Sequence, residues 1–283
     1  MIQTVSKKPY LVFTSAGDFS NLHYWLDGER DFDLYIVDYG EQDHGYAALA
    51  EYYLPQKGGK FPNLYHVYQT QKELIESYKY VMVMDDDVII DSQGINQLFK
   101  LSAEKDLWLV QPAFESKGVI RHKITRQQPF VFLRYTNFVE MTCPIFRADK
   151  LRDFLSVYDP ILVGWGVTNW VLDVMGKDMQ GHVAIVDGIS CINPRSRKGS
   201  PVREILKLQS DAERYKHWIM IRDKYGIKSQ DWGELTYSNE GRVPFGNSLK
   251  IILLNGIYRM YDRAAFFLRY GLDIAYEKWH KIR

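Results

Sequence analysis

The stretch Tyr80-Val81-Met82-Val83-Met84-Asp85-Asp86-Asp87-Val88-Ile89-Ile90 decides the fold and locates the chemistry of this chain. Its apolar run, rich in β-branched residues, predicts a buried strand. Three consecutive carboxylates at a strand end repel one another and resist burial unless a cation neutralises them. Mg²⁺ and Mn²⁺ prefer oxygen ligands and often bind through one or two carboxylates together with substrate phosphates. The cluster therefore predicts a divalent metal holding a phosphorylated substrate. Acidic residues also mark turns and helix caps, as Asp91 would for the helix that follows.

The length, composition and net charge of the chain limit the classes of protein to which it can belong. The chain has 283 residues, of which 46% are hydrophobic, and this is enough for one large domain or a domain with an appendage. The net charge of +1 gives no general argument for nucleic-acid binding.

Cys143 and Cys191 lie in apolar surroundings, which predicts buried thiols in a reducing compartment rather than a disulfide framework or a zinc site. The segment Met1–Lys8 does not resemble a signal peptide, and no apolar run approaches the ~20 residues that span a bilayer, so we expect a soluble cytoplasmic protein.

The first half of the chain alternates strand-like and helix-like segments. Strands are predicted at 10–14, 33–37 and 63–68, in the apolar run that starts at Tyr80 and ends in the aspartates, and at 107–112, and helices are predicted at 70–78 and 92–103. This order predicts an α/β fold with a mixed, mainly parallel sheet flanked by helices. In such sheets ligands bind beyond the carboxyl ends of the strands. Asp18, Asp38 and the cluster Asp85–Asp87 all fall at such ends.

The second half has a different pattern. Residues 130–146 are aromatic and β-rich, the segments 148–157 and 168–175 look helical, and 182–192 reads as a last strand. From residue 201 the pattern is helical, with a polar interruption at 238–246. We therefore predict one domain over residues 1–200 and a helical C-terminal extension over 201–283. The extension would pack on the domain, on a partner or on a membrane surface.

Six blocks, in order along the chain, resemble a known family. They are Met84-Asp85-Asp86-Asp87, Gln111-Pro112-Ala113, His122-Lys123-Ile124-Thr125, Val139-Glu140 with Pro144-Ile145-Phe146, Gly164-Trp165-Gly166 and Val186-Asp187. The chain resembles nucleotide-sugar glycosyltransferases of the GT-A fold and, more specifically, the glycosyltransferase-like family DUF707. The resemblance covers roughly residues 10–197 and does not extend to the tail.

The resemblance implies transfer of a sugar from a nucleotide-diphosphate donor, a UDP-sugar, to a glycan or lipid-linked glycan acceptor in polysaccharide biosynthesis. It also implies Mn²⁺ or Mg²⁺, because a metal bridging the diphosphate neutralises the charge that develops as this group leaves. By the same resemblance Asp87 is a metal ligand, and Asp85 contacts the ribose or sugar of the donor and is a second candidate metal ligand. Asp86 either helps to bind the donor or faces solvent, and Asp38 lies near the nucleoside.

Two positions depart from the family pattern. Thr168 stands where the family has an acidic residue, and it cannot act as a base at neutral pH. Asn193 stands where the family has a histidine, and its carbonyl oxygen remains a weaker ligand for a hard cation. Asp173, five residues after Thr168, is a candidate replacement acid, with a solvated helix face as the alternative.

Four further candidates carry a functional and a structural interpretation each. Glu140 lies in an apolar strand, so it is either an acid/base or acceptor-orienting group, or a salt-bridged residue. Trp165 and Gly166 are candidates for acceptor binding through sugar stacking and a tight turn, or for a core turn. His122 is a donor contact or part of a basic surface patch. Arg195, followed by Arg197 and Lys198, would clamp the diphosphate or belong to a solvated loop.

Rival functions remain open at this stage. The altered positions Thr168 and Asn193 favour a catalytically inactive GT-A scaffold that binds a nucleotide or sugar. Another metal-dependent phosphoryl or nucleotidyl enzyme is disfavoured. An aspartyl-phosphate phosphatase carries its Asp-x-Asp after the first strand, whereas in this chain the cluster follows a later strand. The tail 248–283 mixes apolar, aromatic and basic residues, which suits an anionic membrane surface, a dimer interface or a structural role in a biosynthetic complex.

Overall fold

A nine-stranded mixed sheet forms the centre of the part of the chain that the structure describes. The computed structural model describes residues 7–195 and 204–280, and it describes side chains over 7–195, 205–229 and 231–262. The strand order is β3-β2-β1-β4-β7-β5-β8-β6-β9. The strands are β1 (Tyr10–Ala16), β2 (Phe32–Asp38), β3 (Tyr52–Pro55), β4 (Tyr80–Asp85), β5 (Leu109–Phe114), β6 (Leu133–Thr136), β7 (Ile145–Arg147), β8 (Val183–Cys191) and β9 (Thr236–Glu240).

Ten helices flank this sheet in the described ranges. They are α1 (Leu22–Trp25), α2 (Tyr46–Leu49), α3 (Lys60–Thr70), α4 (Lys72–Glu76), α5 (Ser92–Glu104), α6 (Ala148–Val157), α7 (Val167–Met175), α8 (Glu204–Leu208), α9 (Asp211–Tyr225) and α10 (Phe245–His280). One core layer packs side chains of α3, α6, α7 and α9 on one face of the sheet. The other layer packs those of α1 and α5 on the opposite face. Helices on both faces confirm the predicted α/β class with a mixed sheet.

The strands β1, β2, β3 and β4 form the parallel half of the sheet. Their side chains alternate between the two core layers, which is why β1, β2 and β4 read as nearly continuous apolar runs. The register pairs Ser15 with Asp85 and Ala16 with Asp38. The carboxyl ends of β1, β2 and β4 therefore meet at one edge of the sheet.

The other half is mixed. The short strand β7 runs antiparallel to both β4 and β5, so β5 points the same way as β4. Strand β8 is parallel to β5, whereas β6 is antiparallel to β8. The carboxyl ends of β5 and β8 consequently lie along the same edge as those of β1, β2 and β4.

Two predictions about local structure are wrong. The segment 63–68, predicted as a strand, belongs to α3, where the buried residues Phe61, Leu64, Val67 and Tyr68 follow helical spacing. The segment from 201, predicted as a helical extension with a polar interruption at 238–246, also contains a strand, because Thr236–Glu240 forms β9 at the edge of the sheet. All five residues of β9 are exposed, so its pairing with β6 rests on backbone hydrogen bonds and not on an apolar pattern.

Several local predictions are confirmed. The helix predicted at 148–157 coincides with α6, and the predicted helices at 92–103 and 168–175 correspond to α5 and α7. Asp91 caps α5, since its Oδ1 accepts a hydrogen bond of 2.6 Å from the Gly94 N–H. Cys143 and Cys191 are buried free thiols whose Sγ atoms lie 3.8 Å apart. The apolar strand β3 was not predicted.

Candidate functional site

The candidate site lies where β1, β2 and β4 end. Asp85 is the last residue of β4, Asp86 and Asp87 follow it, and Asp38 is the last residue of β2. Gly17 and Asp18 follow β1 directly. The predicted grouping of these carboxylates at one sheet edge therefore matches the register of the three strands.

Asp86 is the best-anchored member of the cluster. Its Oδ2 accepts a hydrogen bond of 2.9 Å from the Gly17 N–H and one of 3.2 Å from the Tyr39 hydroxyl. Burial raises the pKa of Asp86 to about 7, and the neighbouring Asp87 and Asp85 add to this shift. The two hydrogen bonds oppose it only in part. The Asp86 side chain thus points toward Gly17 and Tyr39 and is only partly exposed.

Two tyrosines, Tyr39 and Tyr46, cover the turn that follows β1. A Cβ on Gly17 would lie 2.3 Å from the ring of Tyr39, so only glycine allows this ring to cover the turn. The Tyr46 hydroxyl donates to the Gly17 carbonyl at 2.6 Å. The Asn21 N–H donates to the Asp86 carbonyl at 2.7 Å, which ties the same turn to the aspartate loop. These contacts hold the loop after β4 rigidly against the end of β1.

A lysine neutralises part of the acidic cluster. Lys60 is the first residue of α3, and its side chain is only 10% exposed. Its Nζ lies 2.7 Å from Asp85 Oδ1 and donates to the carbonyls of Met141 at 2.7 Å and Thr142 at 3.0 Å. A buried ammonium of this kind is stable only with such a complete set of oxygen partners. One positive charge is therefore built into the site next to Asp85.

The nucleoside side of the site, as predicted from Asp38, is also ordered by hydrogen bonds. Asp38 Oδ1 accepts from the Gly40 N–H at 2.8 Å, and its Oδ2 accepts from the Tyr53 hydroxyl at 3.0 Å. Asp18 Oδ1 accepts from the Gln42 N–H at 3.1 Å and lies 3.0 Å from His44 Nε2. The Gln42 N–H and His44 lower the pKa of Asp18. Asp18 and Asp38 thus shape the loop after β2 by accepting hydrogen bonds from its backbone and from the Tyr53 hydroxyl.

The carboxylates do not form a ready metal cage. Within residues 7–195 and 204–262, no group of three or more His, Cys, Asp or Glu side chains converges closely enough to hold a metal ion. Lys60 already binds one oxygen of Asp85, and Asp86 is bound to Gly17 and Tyr39. A divalent cation fits this donor set only if the substrate supplies further oxygens, as phosphates do for Mg²⁺.

Glu140 lies beside the cluster, in the segment between β6 and β7 and not in a strand as predicted, and it is incompletely bonded. It is 8% exposed, its Oε1 accepts from the Thr142 hydroxyl at 3.3 Å, and its Oε2 is buried without a hydrogen-bond partner. Burial raises the pKa of Glu140; the charges of His122 and Arg121 oppose this shift, while that of Asp85 adds to it. The backbone carbonyl of Thr142, two residues after Glu140, accepts a hydrogen bond of 2.8 Å from the Asp85 N–H. An unpartnered buried carboxylate oxygen next to a polar cluster is typical of a group that acts on a ligand.

Two predicted donor contacts make other interactions. His122 Nδ1 lies 2.6 Å from Glu234 Oε1, so the ring is tied to the segment before β9. Arg195 Nη1 lies 3.0 Å from Asp262 Oδ1, and its Nε donates to the Lys117 carbonyl at 3.1 Å. Arg195 therefore fastens α10 to the loop after β5, and its role as a diphosphate clamp stays a prediction. Arg197 and Lys198 lie outside the described residues.

Asn193 follows the end of β8 closely. Ile192 and Ile89 form an antiparallel bridge, which brings the chain after β8 alongside the segment that follows the aspartates. The Asn193 carbonyl accepts from the Val119 N–H at 2.7 Å. The bridge supports the expected neighbourhood of Asn193 and the aspartate loop, whereas its role as a metal ligand stays a prediction.

The residues predicted for the acceptor side have structural contacts of their own. Gly166 has φ +81°, and a Cβ there would lie 1.9 Å from the ring of Trp218, so packing alone explains the glycine. Trp165 is 42% exposed and packs its edge against Tyr215. Asp173 Oδ1 accepts from the Lys228 N–H at 3.0 Å, which joins α7 to the turn after α9. Acceptor binding by Trp165 and Gly166 and catalysis by Asp173 remain predictions.

Sequence reasoning missed Lys60, Tyr39 and Asn63. Asn63 Nδ2 donates to Ser15 Oγ at 3.0 Å at the end of β1, and Gln56 Nε2 donates to Asn63 Oδ1 at 2.9 Å. Asn63 was missed because the segment 63–68 was predicted as a strand, and Lys60 because the helix that begins with it was not predicted. The helical spacing of Phe61, Leu64 and Val67 was the signal that points both polar residues toward the sheet edge.

Distant similarities connect the chain to solved structures. TarS from S. aureus is 12% identical with a TM-score of 0.47 over 76% of this chain, and the chain spans 44% of TarS. TarS residues 1–349 in complex with UDP-GlcNAc are 12% identical with a TM-score of 0.44, covering 76% of this chain and 73% of that one. GalNAc-T7 with UDP, GalNAc and Mn²⁺ is 10% identical with a TM-score of 0.49, covering 81% of this chain and 56% of that one.

No family model and no curated protein matches the chain. The resemblance to DUF707 therefore stays a prediction that rests on the six sequence blocks. Among the described helices, none is both long and apolar enough to cross a membrane.

Proposed function

We propose that this chain is a glycosyltransferase that transfers a sugar from a nucleotide-diphosphate donor, a UDP-sugar, to a hydroxyl of a glycan acceptor. The observation that carries the proposal is the meeting of Asp38 and Asp85–Asp87 at the carboxyl ends of β2 and β4, the two parallel strands on either side of β1. This edge is where open α/β sheets bind ligands. The sequence blocks that resemble DUF707 support the same reaction.

The charges of the site fit a diphosphate only with a cation. An anionic donor beside three aspartates is repelled, and Lys60 supplies a single compensating charge next to Asp85. Asp87 and Asp85 are the residues that would hold Mn²⁺ or Mg²⁺ together with donor phosphates, and Asn193 would contribute a carbonyl oxygen. The bound metal would neutralise the charge that develops on the departing nucleoside diphosphate.

The protein groups have separate roles in the proposed transfer. The acceptor hydroxyl oxygen forms a bond to the anomeric carbon as the bond from that carbon to the diphosphate oxygen breaks. Glu140 Oε2, which is buried without a partner, receives the proton of the hydroxyl. Asp86 keeps the aspartate loop against Gly17, and Asp38 orients the nucleoside through the loop after β2.

Asp87→Asn tests the donor site. We expect this variant to bind UDP in the presence of Mn²⁺ at least about tenfold more weakly, a loss of about 1.4 kcal/mol, because a neutral amide is a poorer ligand for a hard cation. Isothermal titration measures the dissociation constant. Asp178→Asn, at an exposed aspartate outside the site, is the matched control and should bind like the parent. Unchanged affinity of Asp87→Asn would contradict the assignment of the metal site.

A second candidate function is a scaffold that binds the nucleotide or sugar without turnover. Lys60 favours it, because a lysine already bound to Asp85 replaces part of the charge that a catalytic metal would bring. Release of UDP from a panel of UDP-sugars separates the two functions. Tight UDP binding with no release of UDP, with or without glycan acceptors, would support the scaffold and refute the transferase.

A further inference from the structure

Helix α10 turns an apolar face away from the protein. On its first five turns the outward side chains are apolar and spaced for one face of a helix, and Leu253 and Met260 are 63% and 73% exposed. These residues are Phe245, Leu249, Ile252, Leu253, Ile257 and Met260. Single exposed apolar residues are ordinary on a protein surface, but a contiguous stripe of this length marks an interaction site.

The opposite face of α10, which includes the buried Ile251, packs on the domain and is fixed there by polar contacts. The Phe130 N–H donates to Ser248 Oγ at 3.0 Å, Asn255 Nδ2 donates to the Gln127 carbonyl at 3.1 Å, and Asp262 pairs with Arg195 at 3.0 Å. The buried positions 248, 251 and 255 are spaced by three and four residues, so they form one seam along the helix. The helix cannot roll its apolar stripe inward without breaking these polar contacts.

The charge around the stripe selects its partner. At 100° per residue, the exposed Lys250 and Arg259 flank the stripe on its two sides, and residues 241–261 contain no Asp or Glu. Residues 242–283 carry eight Lys or Arg against three Asp or Glu, whereas the remainder of the chain is net acidic. A second copy of the helix would place cations against cations, so self-association is disfavoured. An apolar stripe between basic residues is complementary to an anionic lipid surface.

We infer that this face of α10 binds the surface of a membrane that contains anionic lipid headgroups. The stripe would enter the boundary between headgroups and acyl chains, and Lys250 and Arg259 would contact the headgroups. Helix α10 packs on the loop after β5, whose carboxyl end shares a sheet edge with Asp85–Asp87. If the proposed function holds, this arrangement brings the donor site toward lipid-linked acceptors.

Vesicle co-sedimentation of the full chain tests the inference. We expect binding to vesicles of phosphatidylcholine with phosphatidylglycerol and little binding to phosphatidylcholine alone. Leu253→Gln with Met260→Gln should reduce the binding at least about tenfold, because two apolar side chains leave the interface. Leu49→Gln with Met220→Gln, at exposed apolar positions on other helices, is the matched control and should bind like the parent.

A second pair of variants isolates the charge. Lys250→Gln and Arg259→Gln should each weaken binding to anionic vesicles by roughly fivefold, and added salt should remove this difference. Lys100→Gln, at an exposed lysine of α5, is the control. Circular dichroism confirms that every variant is folded.

Three results would overturn the inference: no binding of the folded parent to anionic vesicles, equal binding by the Leu253/Met260 variant, or a dimer in sedimentation velocity that this variant dissociates. The last result would assign the stripe to a second copy of the chain. The membrane inference and the proposed function are tested by separate measurements. Asp87→Asn changes the donor site, so it should still bind vesicles whatever its affinity for UDP. Conversely, the Leu253/Met260 variant would still bind UDP.

Discussion

Glu140 is a carboxylate whose surroundings differ strongly from those of an exposed one. It is buried, its Oε2 has no partner, and burial raises its pKa. A buried carboxylate of this kind costs stability when it is ionised, and it persists where it acts on a ligand. Lys60 is a buried charge with its partners in place. Its ammonium contacts Asp85 at the end of β4 and the carbonyls of Met141 and Thr142 before β7.

The raised pKa of Glu140 predicts a pH dependence of stability. The folded protein holds the proton of this carboxyl more tightly than the unfolded chain, so ionisation favours unfolding. Stability should therefore fall as the pH rises from about the ordinary value of 4.5 through the higher folded value, and level off above it. Each tenfold difference in proton affinity corresponds to about 1.4 kcal/mol.

Glu140→Gln should remove the contribution of Glu140 to this dependence while keeping an acceptor for the Thr142 hydroxyl, whereas Asp86 and Asp187, whose pKa values are also raised, keep theirs. Melting temperatures of the parent and the variant, measured from pH 4 to pH 8, check it. We expect the variant to gain on the parent as the pH rises, by roughly 2–4 °C for each kcal/mol. A constant difference across this range would mean that Glu140 does not titrate with a raised pKa. Loss of transfer in the folded variant would support its proposed catalytic role.

At the scale of elements, the helices are positioned by a few close contacts that decide which residue types are allowed. The segment Gly164-Trp165-Gly166 was interpreted from sequence as an acceptor-side turn, and the structure shows a close approach between α7 and α9 at this point. Gly166 begins α7 in a left-handed conformation, and the ring of Trp218 on α9 fills the space where a side chain would be. Trp218 in turn belongs to the core layer on that face of the sheet.

Gly166→Ala should therefore destabilise the fold by about 2–4 kcal/mol, from backbone strain at φ +81° and the clash with Trp218. Gly226→Ala separates the two causes, because Gly226, which follows α9, is left-handed with φ +66° and has no neighbour within 4 Å of an added Cβ. This control should lose only about 1 kcal/mol. Urea unfolding monitored by tryptophan fluorescence gives both values. Equal losses in the two variants would show that Trp218 moves aside easily.

At the scale of the whole molecule, the mixed half of the sheet is joined to its loops through a buried ion pair. Arg134 of β6 and Asp187 of β8 form two hydrogen bonds, at 2.6 and 3.0 Å, and the Asp187 side chain is fully buried. Arg134 Nη1 also donates to the Ile124 carbonyl at 2.7 Å, and the Gln128 N–H donates to Asp187 Oδ1 at 2.6 Å. The pair thus connects two strands with the loop on which α10 rests.

Asp187→Asn should cost about 3–5 kcal/mol, because it leaves the guanidinium of Arg134 buried without a compensating charge. Asp153→Asn removes one partner of an exposed pair with Arg152 and should change stability by less than about 1 kcal/mol. Thermal unfolding of both variants measures the contrast. A loss as small as that of Asp153→Asn would indicate that water or another group replaces the carboxylate.

The sequence by itself determined the features that depend on neighbouring residues. The apolar runs of β1, β2 and β4, the acidic residues at their ends, the cap at Asp91 and the helix α6 are all local patterns, and the α/β class follows from their order. Segment 63–68 shows the limit of this reasoning, because a short apolar and aromatic run suits a strand or a buried helix equally well.

Only the tertiary structure decided which distant groups meet. Gly17 and Asp86 are 69 residues apart, and Lys60 and Met141 are 81 residues apart, so no local pattern predicts their hydrogen bonds. The exposed strand β9 pairs with β6 through backbone groups that every sequence possesses. The outward apolar face of α10 was likewise decided by the polar contacts of Ser248, Asn255 and Asp262. An amphipathic pattern alone does not say which of its two faces a domain will bury.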